Sequence, residues 1–182
     1  MTKKLLIIFF TMSVLNIALI NKSLSIEKLI GHGGPVKGLA ISNDRKILAS
    51  ASFDYSTVLW SVNPIKDIVT LIGHDAAVNT VKFSPNNKIL VTGGDDNQIL
   101  IWNIKNALKN NGEVEPIKLI GHRGKVVDLE ISKDGKFIYS ASWDGTIGVW
   151  NADTKENIKF LKGHKGPVYS IQLSKDEKKI FS

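Results

Sequence analysis

From Val36 to the end of the chain, short apolar runs alternate with polar clusters. Runs bounded by Pro, Asn, Asp and Gly read as strands joined by tight turns. The first set predicts strands over Val36–Ile41, Ile47–Ser52, Thr57–Trp60 and Ile68–Leu71. Apolar and polar positions alternate only partly within them, which is the pattern of strands packed on both faces. Turns are expected at Ser42-Asn43-Asp44-Arg45, Ser84-Pro85-Asn86-Asn87 and Ser132-Lys133-Asp134-Gly135. A second turn in each set places Tyr55, Asn97 or Gly145 where the backbone needs positive φ. Gly and Asn accept that conformation and Tyr does not, so the first set should hold the most strained turn. The second set, Val78–Leu119, carries about six extra residues within Asn106–Pro116, read as a longer loop. The third runs regularly from Val126 to Leu161, the fourth offers only Val168–Leu173 and Lys179–Ser182, and Ile26–Ile30 stands ahead of the first as a lone outer strand.

The sets are copies of one unit. Leu119 to Trp150, LIGHRGKVVDLEISKDGKFIYSASWDGTIGVW, aligns without gaps with Leu29–Trp60 and Leu71–Trp102, and Leu161–Ser182 aligns until the chain stops. In each copy a Gly-His histidine (His32, His74, His122, His164) lies eighteen residues before a hydroxyl residue (Ser50, Thr92, Ser140, Ser182). In the three complete copies an acid follows four residues later (Asp54, Asp96, Asp144) and a tryptophan six after that (Trp60, Trp102, Trp150). This pattern, with its period of 42 to 48 residues, resembles the WD40 repeat, in which each copy forms one four-stranded blade of a β-propeller. The residue after Trp is Ser61, Asn103 or Asn151 where the family usually has Asp, a loosely kept position.

The resemblance implies an all-β fold, a partial WD40 β-propeller with three complete four-stranded blades and half of a fourth. Its repeats are 29–70, 71–118, 119–160 and an incomplete 161–182 within a domain spanning 26–182. It further implies that His32, Ser50, Asp54 and Trp60, then His74, Thr92, Asp96 and Trp102, then His122, Ser140, Asp144 and Trp150 form buried hydrogen-bonded tetrads. Because propellers close by joining strands from the two termini, the stop at Ser182 leads to the expectation of a truncated chain. That chain would form an open arc whose remaining blades come from a longer parent.

The first 25 residues differ from the rest. Lys3 and Lys4 precede Leu5–Ile20, an apolar run interrupted by Thr11, Ser13 and Asn16, and small residues Ser23 and Ser25 follow. This predicts a signal peptide over 1–25, and sixteen residues fall short of the roughly 20 that span a bilayer. The expected location is periplasmic or secreted, with membrane attachment only through an uncleaved leader. The chain has no cysteine, which excludes disulfides, a lipidated cysteine and thiolate metal sites. The formal charge of +7 includes three lysines of the leader, leaving 21 basic and 17 acidic residues in the mature chain. That modest excess, with lysines clustered in the first turns (Lys46, Lys88, Lys133, Lys136, Lys175, Lys178, Lys179), is read as a solvated rim and not as a nucleic-acid surface.

His, hydroxyl and acid recurring together invite a catalytic-triad reading. Ser50, Thr92 and Ser140 instead lie inside strand segments without a G-x-S-x-G elbow, and a set repeated once per blade is a structural device. The four histidines belong to four different blades, so no metal site is expected, and no cofactor motif is present. What remains is binding. In WD40 propellers partners meet the rim formed by the Gly-His loops and the second turns. The side chains before the tetrad Asp (Phe53, Asp95, Trp143) and early in each first strand (Lys37, Asn79, Val127, Tyr169) project there. Aromatic residues at such turns fit two readings equally: interface anchors for a protein partner, or covers over neighbouring loops. The expected function is therefore a non-enzymatic, exported protein-interaction scaffold. The alternative is the propeller part of a periplasmic redox protein whose c-type cytochrome lies beyond this chain.

Overall fold

The computed structural model describes residues 29–182. The expected leader and most of the expected Ile26–Ile30 strand lie outside the described residues, while Leu29 and Ile30 belong to no strand. Three four-stranded antiparallel sheets follow in chain order, each a simple meander. The first comprises β1 (Val36–Ile41), β2 (Ile47–Ser52), β3 (Ser56–Val62) and β4 (Ile65–Ile72). The second comprises β5 (Val78–Phe83), β6 (Ile89–Gly94), β7 (Ile99–Asn103) and β8 (Ile117–Leu119), with helix α1 (Ile104–Lys109) between its last two strands. The third comprises β9 (Val126–Ile131), β10 (Phe137–Ser142), β11 (Thr146–Asn151) and β12 (Asn157–Lys162). A two-stranded sheet, β13 (Gln172–Leu173) with β14 (Ile180–Phe181), ends the chain. The fold is all-β, with three four-stranded blades and a two-stranded one, as in a partial propeller.

No blade has a core of its own. Ala49, Ala51, Leu59 and Leu71 of the first blade pack on Val78, Val81 and Leu90 of the second, and Val91, Ile99 and Ile101 of the second pack on Val126, Leu129 and Ile138 of the third. Ala141 and Ile147 then meet Val168 and Ile171. The leading face of each blade after the first is thus buried by the blade before it. Val78 and Val126 are 0% exposed and Val81 and Leu129 at most 2%, whereas their first-blade counterparts Val36 and Leu39 are 47% and 64% exposed.

Both turns of the repeat are built on local bonds that follow from the sequence. In the first, the Ser42 hydroxyl donates to Asp44 Oδ1 at 2.6 Å and accepts the Ile47 amide at 2.9 Å, and Ser84 and Ser132 repeat the device. In the second, Tyr55 (φ 71°), Asn97 (φ 66°) and Gly145 (φ 81°) all adopt the left-handed conformation. Tyr55 is the only one of the three ill suited to it.

Two expectations are corrected. The insertion expected as a loop over Asn106–Pro116 begins inside α1. The Asn103 side chain caps this helix by accepting the Asn106 amide at 2.9 Å, and Ile104 and Ala107, one turn apart, enter the first core. Asn111 and Gly112, at φ 51° and 87°, turn the chain back after it. The strands expected over Val168–Leu173 and Lys179–Ser182 shorten to two residues each, pairing Gln172 with Phe181 and Leu173 with Ile180, while the Val168 and Ile171 amides donate to Ser142 O and Asp128 Oδ2 of the third blade.

Candidate interaction rim and its supporting tetrads

Each complete blade carries one hydrogen-bonded chain of four side chains. In the third blade Trp150 Nε1–H donates to Ser140 Oγ at 2.8 Å, Ser140 Oγ lies 2.7 Å from His122 Nε2, and His122 Nδ1 lies 2.7 Å from Asp144 Oδ2. The first blade repeats it with Trp60, Ser50, His32 and Asp54 at 2.8, 2.7 and 2.9 Å. In the second, Trp102, Thr92, His74 and Asp96 stand at 3.0, 2.8 and 2.8 Å. The eighteen-residue spacing has a geometric origin. The His loop precedes the inner strand, the hydroxyl sits on the second strand, and the antiparallel return brings the two together. In the gaps between, Ser50 faces Val58, two residues before Trp60 on the third strand.

The bonding fixes the protons. The indole donates only, so the hydroxyl accepts from it and donates its own hydrogen to imidazole Nε2, leaving Nδ1–H for the carboxylate. A neutral imidazole facing an ionised carboxylate satisfies every atom. The titration directions agree. Burial pushes the Asp144 carboxyl up, but the Thr146 hydroxyl, the Arg123 amide and His122 outweigh it and bring it down to about 2, while burial of the His122 ring lowers its pKa despite Asp144. Asp54 and Asp96 are likewise held below the usual carboxylate range. Burial opposes this in both, but the Ser56 hydroxyl and amide outweigh it at Asp54 and the His74 hydrogen bond and charge do so at Asp96.

The Gly of Gly-His has a steric task in this arrangement. A Cβ on Gly31 would lie 2.5 Å from the Trp60 ring and one on Gly73 2.7 Å from that of Trp102, so only glycine lets the loop cross the indole edge. Ser140 and Thr92 are fully buried, and the third-blade tetrad is roofed by Phe160, whose ring centroid is 5.1 Å from that of His122 and 5.7 Å from that of Trp150. A hydroxyl that is buried, accepts an indole N–H and donates to imidazole has no path to a substrate. The arrangement can hold the second turn against the His loop. It cannot present a nucleophile. In the incomplete repeat His164 Nε2 still meets Ser182 Oγ at 2.7 Å, in an exposed setting.

By fixing the tetrad aspartates, this scaffold positions the residues before them. Phe53, Asp95 and Trp143 line one depression of about 440 Å³ together with Lys37, Asn79, Val127, Tyr169 and Lys125. The structure therefore gathers all seven rim residues singled out from the sequence. They do not contribute equally. Asn79 donates to Asp95 Oδ1 at 2.8 Å and to Val126 O at 3.1 Å, and Val127 packs on the third core, so both serve the walls. Trp143 and Tyr169 form an edge-to-face pair at 5.7 Å. Lys37 Nζ lies 5.5 Å from the Phe53 centroid. Lys125, which sequence reasoning missed, sits 5.1 Å over Trp143 and forms an ion pair with Asp95. Its signal was a break in the repeat: the matching positions hold Pro35, Ala77 and Pro167.

Among known proteins, the WD40 family, described as WD domain, G-beta repeat, matches residues 23–61, 65–103, 114–151 and 155–182. No curated protein matches the chain.

Proposed function

As the chain belongs to the WD40 repeat family, whose propellers are generally non-catalytic interaction domains, we propose that it is an exported, non-enzymatic scaffold that binds a protein partner in the rim depression. One observation carries this reading. Phe53, Trp143 and Tyr169 present exposed aromatic surface around a single depression, while every tetrad group that could do chemistry is used up in holding that rim in place. Aromatic anchors beside a few polar groups are the usual composition of a protein-binding centre. Export is supported by Lys3, Lys4 and the apolar run to Ile20. The exposed Val36 and Leu39 support a further blade of a longer parent protein packing on the first, since their counterparts Val78, Val81, Val126 and Leu129 are all covered in that way.

Alanine at both Phe53 and Trp143 tests the reading. The double variant should keep the wild-type unfolding profile yet lose a protein that co-purifies with the exported chain. Undiminished co-purification would place binding elsewhere on the molecule.

A further inference from the structure

The chemistry of the depression goes further than a generic protein partner. Three charged groups enter it: Lys37, Lys125 and Asp95. Asp95 is already matched, because Asn79 occupies Oδ1 and the Lys125 ammonium occupies Oδ2. Lys125 is correspondingly engaged by Asp95 and by the Trp143 face. Lys37 is different. Among the described residues it makes no ion pair, and its ammonium rests over Phe53 alone. The depression therefore offers one uncompensated cation next to Phe53, with the Trp143–Tyr169 pair completing the aromatic lining.

We propose that this depression takes an extended peptide segment in which a carboxylate side chain is flanked by apolar or aromatic residues, the carboxylate meeting Lys37 and the apolar groups lying on Phe53, Trp143 and Tyr169. This rests on the reading of the depression as a protein-binding site. A cationic segment is disfavoured. The acid it would need, Asp95, is neutralised by Lys125, and its own charge would be set beside two ammoniums. Lys37 is exposed, so its charge complementarity with a carboxylate sets partner choice more than total affinity.

Trp143 reports on the site directly. Trp60, Trp102 and Trp150 are at most 3% exposed and Trp143 is 42% exposed, so a peptide in the depression changes the emission of one tryptophan. The probes are octapeptides free of Trp, made of Gly and Ser around a Phe-X-Leu centre, with X as Glu, Gln or Lys, and a thymidine octanucleotide. The Glu peptide should shift Trp143 emission at the lowest concentration and the Lys peptide at the highest. Lys37→Met should erase most of the Glu-over-Gln preference, weakening the Glu peptide about three- to fivefold, while Lys136→Met on the opposite rim should not. Raising the salt from 0.05 to 0.5 M should narrow the same preference. Equal binding of the Glu and Gln peptides, or a preference for Lys, would overturn the inference and leave the interaction rim standing. No response to any peptide, or a tighter response to the oligonucleotide, would overturn both.

Discussion

Replacing Gly148 by valine tests how the third tetrad is packed. Gly148 lies opposite Ser140 in the ladder, where the first blade has Val58 opposite Ser50 and the second Leu100 opposite Thr92. Both of those side chains are buried beside intact tetrads. At Gly148, however, a Cβ would fall 2.6 Å from Ser140 Oγ, 2.6 Å from Trp150 Nε1 and 2.9 Å from His122 Nε2. The difference lies on the next strand. Gly148 pairs with Phe160, whereas Val58 pairs with Thr70 and Leu100 with Lys118. The Phe160 ring fills the space over His122 and Trp150, and the tetrad sits against the bare glycine. Valine there forces apart two buried hydrogen bonds, about 1 to 3 kcal/mol, and overpacks the site by a similar amount. A strand preference for valine over glycine returns up to about 1 kcal/mol. Mid-range values give a net loss of about 3 kcal/mol, or roughly 6 to 12 °C in thermal midpoint for a chain of this size. Adding Phe160→Thr imitates the first blade and should recover at least about 1 kcal/mol as a coupling between the two sites. Urea unfolding followed by tryptophan emission measures all four corners of the cycle. An unchanged midpoint for Gly148→Val, or strictly additive effects, would refute the packing argument.

Three further outcomes follow from other parts of the molecule. Acid should destabilise the chain in two stages. The neutral His122 resists protonation as pH falls below its ordinary value of 6.5, and Asp144, ionised down to about 2, loses its stabilising contribution as pH falls from about 4 towards 2. A urea midpoint unchanged between pH 7 and 3 would contradict this. Tyr55→Gly should raise stability by up to about 1 kcal/mol, because relief of the left-handed strain at φ 71° exceeds the added chain entropy; a lower midpoint would show that the exposed ring contributes packing. Expressed in a bacterium, the chain should be recovered outside the cytoplasm with a new N-terminus near Ile26, and intact Met1 on a soluble cytoplasmic product would oppose export.

The blades were legible because their signals are local and repeated. Apolar runs of strand length, turn residues at fixed offsets and the eighteen-residue His-to-hydroxyl spacing each point to the same sheet. Positive φ at Tyr55, Asn97 and Gly145 was readable for the same reason, since three aligned residues share one turn. Arg45 and Glu177 also adopt positive φ in the first turns, yet a bulky charged residue gives no such cue. Helix α1 was hidden because a six-residue helix shows too little periodicity, and its stability comes from Ile104 and Ala107 reaching a core formed by distant strands. The rim positions could be named from the repeat, but their roles could not. That Asp95 is neutralised by Lys125, that Asn79 braces a wall and that Lys37 has only Phe53 beneath it depend on contacts between blades.

Binding of a protein partner on the aromatic rim is most directly tested by site-specific photocrosslinking of the chain in the cells that express it. Benzoylphenylalanine replaces Trp143 in one variant and Lys136, in the first turn of the same blade at the opposite end of its strands, in a second. Irradiation should yield a discrete protein adduct from position 143 and none from 136, and the adduct should vanish when Phe53→Ala is added. Equal labelling at both positions, or an adduct at 136 alone, would contradict the rim as the interaction surface.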